Sequence, residues 1–344
     1  MLLTISGQGR MADRAERAFF NAGAATVARD FRTHVYFQSP NRVADGSPPC
    51  PHGPGASGCS YKPFHFPLCC TAALNRILPN YLMHMWMATY DNGLAAVCYG
   101  PCKVSALAAD RVPVEIVCRT DYPFNEVIEM TVQPAREATF PLSFRIPGWC
   151  KAPELAVNGS AVQAAPDANG FVRIERLWKS GDAIRLRFPM SVSVATGRDS
   201  NPPYGGQGAP YASVSYGPLL FALPIPDTQG PNTPDPAAKW KYALDVPAEK
   251  LEDDFVVERQ AMPAKWDWPL ASPVKLRANG VAIDWNPELK APRLPSEPMA
   301  KPERPEAITL IPYGCTKFRV SMFPVTDRAF NLLDPKKPPQ PSGK

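Results

Sequence analysis

Forty-two prolines run through 344 residues, against 22 glycines. Proline fixes φ and carries no amide hydrogen, so it interrupts helices and central strands alike. A chain punctuated this densely is confined to short elements and stiff loops, with few long helices. A hydrophobic content of 45% still supports two or three domains with cores of their own.

Between the prolines the dominant period is two. "PVEIVCR" puts Val114, Ile116 and Cys118 on one face, and "VIEMTV" does the same for Ile128, Met130 and Val132. "TFPLSFRI" alternates Phe140, Leu142, Phe144 and Ile146, and "AIRLRF" sets Ile184, Leu186 and Phe188 against arginines. That is strand spacing with one face buried. "YDNGL" reads as a tight turn and "WKSGD" (Trp178 to Asp182) as a hairpin turn. The stretch from Leu94 to Ala195 reads as an antiparallel sandwich, and "YASVSYGPLLFALPI", "VKLRANGVAIDW" and "AITLIPYGCTKFRVSMFP" supply a second β unit. The polar end, "DPKKPPQPSGK", is expected to be disordered.

Two earlier segments have helical spacing. Arg10 to Phe31 has Ala12, Ala15, Phe19 and Ala22 at three- and four-residue steps. Thr71 to Thr89 has Leu74, Leu78, Leu82, Met85 and Trp86 on one face, with a kink or break expected at Pro79. Between them lies the Gly- and Pro-rich loop Ser47 to Pro63.

The net charge of +5 is spread along the chain, which argues against a nucleic-acid footprint. No apolar run is long enough to cross a membrane. The opening residues show no basic start followed by an apolar core, so no signal peptide is expected; the compartment stays open.

Chemistry is concentrated in the first quarter. All four histidines (His34, His52, His65, His84) lie there with Cys50, Cys59, Cys69 and Cys70. The adjacent pair Cys69 and Cys70 is a poor vicinal disulfide. Neighbouring Cα atoms are about 3.8 Å apart, and a relaxed bridge needs roughly 4.4 Å. With Thr71 as helix N-cap, both sulfurs would face the positive end of the helix, which favours thiolate. Two adjacent thiolates repel unless a cation lies between them, which points to a metal, zinc first. Two buried thiols in a core loop fit the pair equally well. Cys98, Cys102, Cys118, Cys150 and Cys315 read as packing residues, Glu16 as a solvated charge and Tyr36 as half-buried packing. A second zinc site from Cys50, His52 and Cys59 is a minor reading.

"CCTAALNRILPNYLMHMWMATYDNGLAAVCYGP" resembles glycoside hydrolase family 127, the β-L-arabinofuranosidases. "MADRAERAFFNAG", "FRIPGW", "LAVNG", "SYGPLLFALP" and "IPYGCTKFRV" resemble further landmarks of that family in the same order. The resemblance implies a mainly β chain. Residues 1–90 would be a C-terminal remnant of an (α/α)6 barrel, and 91–200 and 201–330 two antiparallel β-sandwich domains; 331–344 would be a disordered tail. It also implies a retaining mechanism with a zinc-bound cysteine. Cys69 would be nucleophile and zinc ligand, Cys70 a second ligand, and Glu16 and Tyr36 would line the sugar pocket. This departs from the usual pair of glycosidase carboxylates.

In that family the acid/base glutamate and the remaining zinc ligands lie upstream of the helix that begins here near Arg10. The chain is therefore expected to resemble the C-terminal half, inactive and weak in zinc on its own, and to need an upstream polypeptide to complete the barrel. The substrate implied is an arabinofuranoside-containing glycan. Two other readings stand beside this one. The first is a non-catalytic β-sandwich module that binds glycan or protein through Trp149, Trp240, Trp266, Trp268 or Trp285. The second is a cysteine hydrolase with a histidine base.

Overall fold

The computed structural model describes residues 2–28, 31–45, 60–65, 68–199, 209–227, 233–245, 254–264, 272–285, 294–295, 301 and 304–326, without the side chain of Cys70. Cys50, His52, Cys59, Trp266, Trp268 and the 331–344 tail lie outside these residues. The chain divides into two compact units. Unit 1 comprises Met1–Phe20 and Ala73–Met190, and unit 2 comprises Asn21–Ala72 and Ser191–Lys344. The units change over after Phe20, after Ala72 and after Met190.

Unit 1 is a two-layer sandwich. One sheet has the order β1 (Trp86–Ala88), β2 (Leu94–Ala96), β6 (Ala138–Arg145), β9 (Phe171–Trp178). The other runs β3 (Cys102–Ala108), β4 (Val112–Thr120), β5 (Val127–Pro134), β10 (Asp182–Arg187), β7 (Glu154–Val157), β8 (Ser160–Val162). The period-two faces read from sequence are the buried ones. Val114, Ile116, Cys118, Ile128, Met130, Val132, Phe140, Leu142, Phe144, Ile184, Leu186 and Phe188 belong to one core between the layers.

Two β expectations are corrected. The four-stranded sheet contains one parallel pair, β2 with β6. "WKSGD" does turn, with Gly181 at φ 93° and the Asp182 amide on the Lys179 carbonyl. The strands it joins, β9 and β10, lie in different sheets, so it is a corner between layers and not a hairpin. "YDNGL" is the hairpin turn expected. Asn92 takes φ 59° and β1 pairs antiparallel with β2.

The helical stretches are shorter than their spacing suggests. α1 (Leu2–Ser6) precedes α2 (Arg10–Ala18), which passes into a π-helical turn, Phe19–Gly23, instead of running on to Phe31. In unit 2 the buried Asn21 amide accounts for that turn locally. It donates to the Pro218 carbonyl at 3.0 Å and accepts from the Leu220 amide at 2.7 Å. α3 (Cys69–Met83) does not end at Pro79, which lies inside it. It stops before Trp86, because the Asn92 turn folds Trp86–Ala88 back along Leu94–Ala96 as a strand.

Unit 2 is built on a nine-stranded sheet. Its main path is β11 (Val192–Asp199), β12 (Ala209–Tyr216), β13 (Leu219–Ile225), β17 (Glu306–Pro312), β16 (Val274–Ala282) and β14 (Tyr242–Leu244). β15 (Val256–Arg259), β18 (Phe318–Val320) and β19 (Phe323–Pro324) pair alongside, all antiparallel. Trp285 is buried in this unit and meets Trp240 edge to face at 5.4 Å. That packing removes Trp285 from any exposed sugar-stacking platform.

Candidate functional site

In unit 2, Cys69 is the first residue of α3 and is exposed. The segment around His34 is pinned on both sides. His34 bridges to Val27 and to Lys62, with amide–carbonyl bonds to Lys62 of 2.9 and 3.0 Å. This places the Tyr36 hydroxyl 3.2 Å from Cys69 Sγ. Two buried histidines back the arrangement. His65 Nε2 lies 2.9 Å from the His34 carbonyl, which only accepts, so Nε2 carries the proton. His34 Nε2 meets Thr71 Oγ1 at 3.0 Å, and the two rings cross edge to face at 4.9 Å. Burial, reinforced by the neighbouring His65, holds His34 below the usual imidazole range and so keeps it neutral at pH 7.

Thr71 is therefore not the N-cap of α3. The helix begins two residues earlier, and the Thr71 hydroxyl is spent on His34. The change puts Cys69 within the first helical turn, where unpaired amides favour negative charge. The Tyr36 hydroxyl works in the same direction when it donates to sulfur. Either atom can donate in this contact, and donation from the phenol is the arrangement that favours negative charge on sulfur. A cysteine hydrolase with a histidine base finds less support, since His34 Nε2 and His65 Nε2 are both engaged elsewhere.

Glu16 belongs to unit 1 and is not the solvated charge its sequence context suggests. It is 1% exposed, against an Arg145 that is 0% exposed, and Arg145 Nη2 donates to its Oε1 at 2.7 Å. Tyr122 donates to Oε2 at 2.8 Å. Arg145 also binds Asp13 and the Val97 carbonyl. Burial pushes the Glu16 carboxyl up, and the Arg145 guanidinium and Tyr122 hydroxyl pull against it. Sequence reasoning missed Arg145, Asp13 and Tyr122. The available signal was a lone arginine between Phe144 and Ile146 in an otherwise apolar run.

Unit 1 also holds a hollow of about 770 Å³, lined largely by apolar side chains of α1, α2 and α3 such as Leu3, Met11, Ala15, Ile77 and Tyr81. Near it Leu2, Ile5, Leu78, Leu82 and Met83 are exposed.

Among the described residues no three His, Cys, Asp or Glu side chains gather as a metal site. Structural zinc takes four ligands and catalytic zinc three plus water. The described donors do not make either shell. No helix among the described residues is long and apolar enough to cross a membrane.

Residues 93–190 match the family model described as "Beta-L-arabinofuranosidase, GH127 middle domain". The chain is 24% identical over 254 residues to the non-reducing end β-L-arabinofuranosidase of Bifidobacterium longum subsp. longum, covering 71% of this chain and 35% of that one. In fold it is similar to a GH127 β-L-arabinofuranosidase from Geobacillus stearothermophilus, at TM-score 0.66 and 22% identity, covering 94% of this chain and 47% of that one. It is also similar to a GH127 β-arabinofuranosidase at TM-score 0.68 and 18% identity, with 95% and 48% covered. The chain thus spans between a third and a half of these relatives' length. The family model begins at β2 and ends at Met190, the last residue of unit 1. Residues 93–190 thus match the middle domain of the GH127 β-L-arabinofuranosidases, and the chain over most of its length is similar to members of that family.

Proposed function

We propose that the chain supplies the nucleophile side of a retaining β-L-arabinofuranoside hydrolase, with Cys69 Sγ as the attacking atom. The observation that carries this reading is the Tyr36 hydroxyl 3.2 Å from Cys69 Sγ at the start of α3. In the first step the sulfur attacks the anomeric carbon as the glycosidic C–O bond breaks, giving a thioglycoside. In the second, water attacks the same carbon from the opposite side and the sulfur leaves. Two inversions retain configuration. Tyr36 orients the sulfur lone pair in the first step and donates to the departing sulfur in the second. Tyr36 also lines the sugar pocket in this reading.

The departing oxygen needs a proton, worth roughly 10²–10⁴-fold. Glu16 is a poor source, because both its oxygens are committed to Arg145 and Tyr122. We assign it to holding Arg145 in the core of unit 1 rather than to proton transfer. The acid is proposed to come from a further polypeptide. Two observations support that reading: the chain covers only 35% of the Bifidobacterium relative, and α1 and α3 leave Leu2, Ile5, Leu78, Leu82 and Met83 exposed. The same polypeptide would bring the acidic and thiol donors that a zinc held by Cys69 and Cys70 requires.

The test assays an aryl β-L-arabinofuranoside with the chain alone, and with the chain co-expressed with the polypeptide encoded directly upstream. Cys69→Ser accompanies both. Expected is no turnover alone, turnover in the pair, and its loss with Cys69→Ser. Turnover that survives Cys69→Ser in the pair would remove Cys69 from the reaction.

A further inference from the structure

β3 and β4 pair antiparallel with Cys102 directly opposite Cys118. Both side chains lie on the face that also carries Val114 and Ile116, so the two sulfurs share one side of the sheet. Opposed residues in antiparallel strands have Cα atoms about 4.5 or 5.5 Å apart, depending on the kind of pair. Both values fall inside the roughly 4.4–6.8 Å span of an unstrained disulfide. Each cysteine is a thiol in the structure. Cys118 is buried in the core, while Cys102 is half-buried at the start of the edge strand of its sheet. The pair is therefore reachable from one side only, through Cys102.

We propose that Cys102 and Cys118 are a peroxide-responsive thiol pair that closes into a cross-strand disulfide. The Cys102 sulfur attacks a peroxide oxygen and the O–O bond breaks. Cys102 becomes a sulfenic acid, and the peroxide leaves as water once it takes up the thiol proton. The Cys118 sulfur then attacks the sulfenic sulfur. The S–O bond breaks, a second water leaves, and the S–S bond forms. Two thiols have been oxidised and one peroxide reduced to two waters.

Exposure assigns the roles, since Cys102 is half-buried on the edge strand and Cys118 is buried. The neighbouring Cys118 thiol first, and Trp86 as well, draw Cys102 below the ordinary thiol range. The neighbouring Cys102 first, and burial second, hold Cys118 above it. The other strand-region thiols move the same way as Cys118, because burial pushes Cys98 up to about 12, Cys150 to about 11 and Cys315 to about 12. Cys102 is the attacking thiol and Cys118 the resolving one. Closure ties the edge strand to its neighbour by a covalent bond and removes no core side chain.

The experiment treats the intact chain with a small excess of hydrogen peroxide, blocks remaining thiols with a maleimide, and maps unreduced tryptic peptides by mass. Expected is a linked pair of peptides containing Cys102 and Cys118, two hydrogens lighter than their sum and cleaved by a reductant. In Cys118→Ser, Cys102 should instead be trapped by dimedone, and in Cys102→Ser no dimedone should appear at Cys118. Cys118→Val serves as the second resolving-site variant if the serine does not fold. Cys102 linked to Cys98, Cys102 passing to sulfinic acid in the parent chain, or Cys102 still maleimide-reactive after Cys69 has been oxidised would each overturn the proposal.

Discussion

Glu16→Ala should cost unit 1 about 3 kcal/mol. The perturbation removes the carboxylate that faces a guanidinium with no solvent exposure, since Arg145 is 0% exposed and Glu16 1%. Breaking a buried pair from one side typically costs about 3–5 kcal/mol, because the remaining charge is left in a low-dielectric site. The lower end applies here. Asp13, at 28% exposure, stays on Arg145 Nη1 as a second counter-charge. Tyr122 loses its acceptor too, which adds part of an unsatisfied-hydroxyl penalty. Glu16→Gln keeps an acceptor for Arg145 but loses the charge, and should cost about 1–2 kcal/mol. The double change Glu16→Leu with Arg145→Met should recover much of the loss, since an apolar pair of similar volume needs no desolvated charge. Urea unfolding followed by far-ultraviolet circular dichroism gives the totals. Hydrogen exchange in β6 and β9 assigns them to unit 1. A Glu16→Ala chain within about 0.5 kcal/mol of the parent would show that Asp13 and water balance Arg145 without Glu16, and the buried-pair reasoning would fail.

Three further outcomes follow from particular contacts. Tyr36→Phe removes the hydroxyl beside Cys69 Sγ and should slow iodoacetamide labelling of Cys69 at pH 7 by several-fold, measured by peptide mass; an unchanged rate would separate Tyr36 from the thiolate. Asp91 is held below the usual carboxylate range by the Thr89 hydroxyl first and by Arg173 as well. Its folded pKa is depressed, so its contribution is present above pH ~4 and is lost as pH falls through the folded value. Asp91→Asn should therefore cost roughly 0.5–1 kcal/mol at pH 7 and nothing near pH 2, by thermal melts at both pH values. Gly93→Ala would put a methyl 2.3 Å from the Pro141 carbonyl and 2.5 Å from Pro141 Cγ. With the Pro141 carbonyl and ring both in the way, it should cost about 1–3 kcal/mol and be read as a lowered melting temperature of unit 1.

The sandwich was the legible part of the sequence. Alternation at Val114–Ile116–Cys118 or Ile184–Leu186–Phe188 is local, and burying that face is the same problem whatever lies opposite. What could not be read depends on partners far along the chain. Glu16 looks like any helix-surface acid until Arg145, 129 residues away, is brought to it. Thr71 has the chemistry of an N-cap, but His34 claims its hydroxyl. Trp86 fits the apolar face of α3, yet the Asn92 turn offers it a strand partner in Ala96. The proposal for Cys69 rests on the resemblance carried by "CCTAALNRIL", which is local in sequence. The histidines beneath Cys69 were known only as members of a crowded quarter of the chain.

The layer changes in unit 1 have a consequence for how it can come apart. The chain moves from one sheet to the other between β2 and β3, β5 and β6, β6 and β7, β8 and β9, and β9 and β10. No single cut therefore puts one layer in one fragment and the other layer in the other. Nicked at an exposed turn such as Asn158–Gly159, the two pieces each retain strands of both sheets. They are interlocked through the common core, so separating them means dismantling it. The domain behaves like a knit rather than a stack: it comes apart as one cooperative unit, and complementary halves are expected to reassemble only when both are present together.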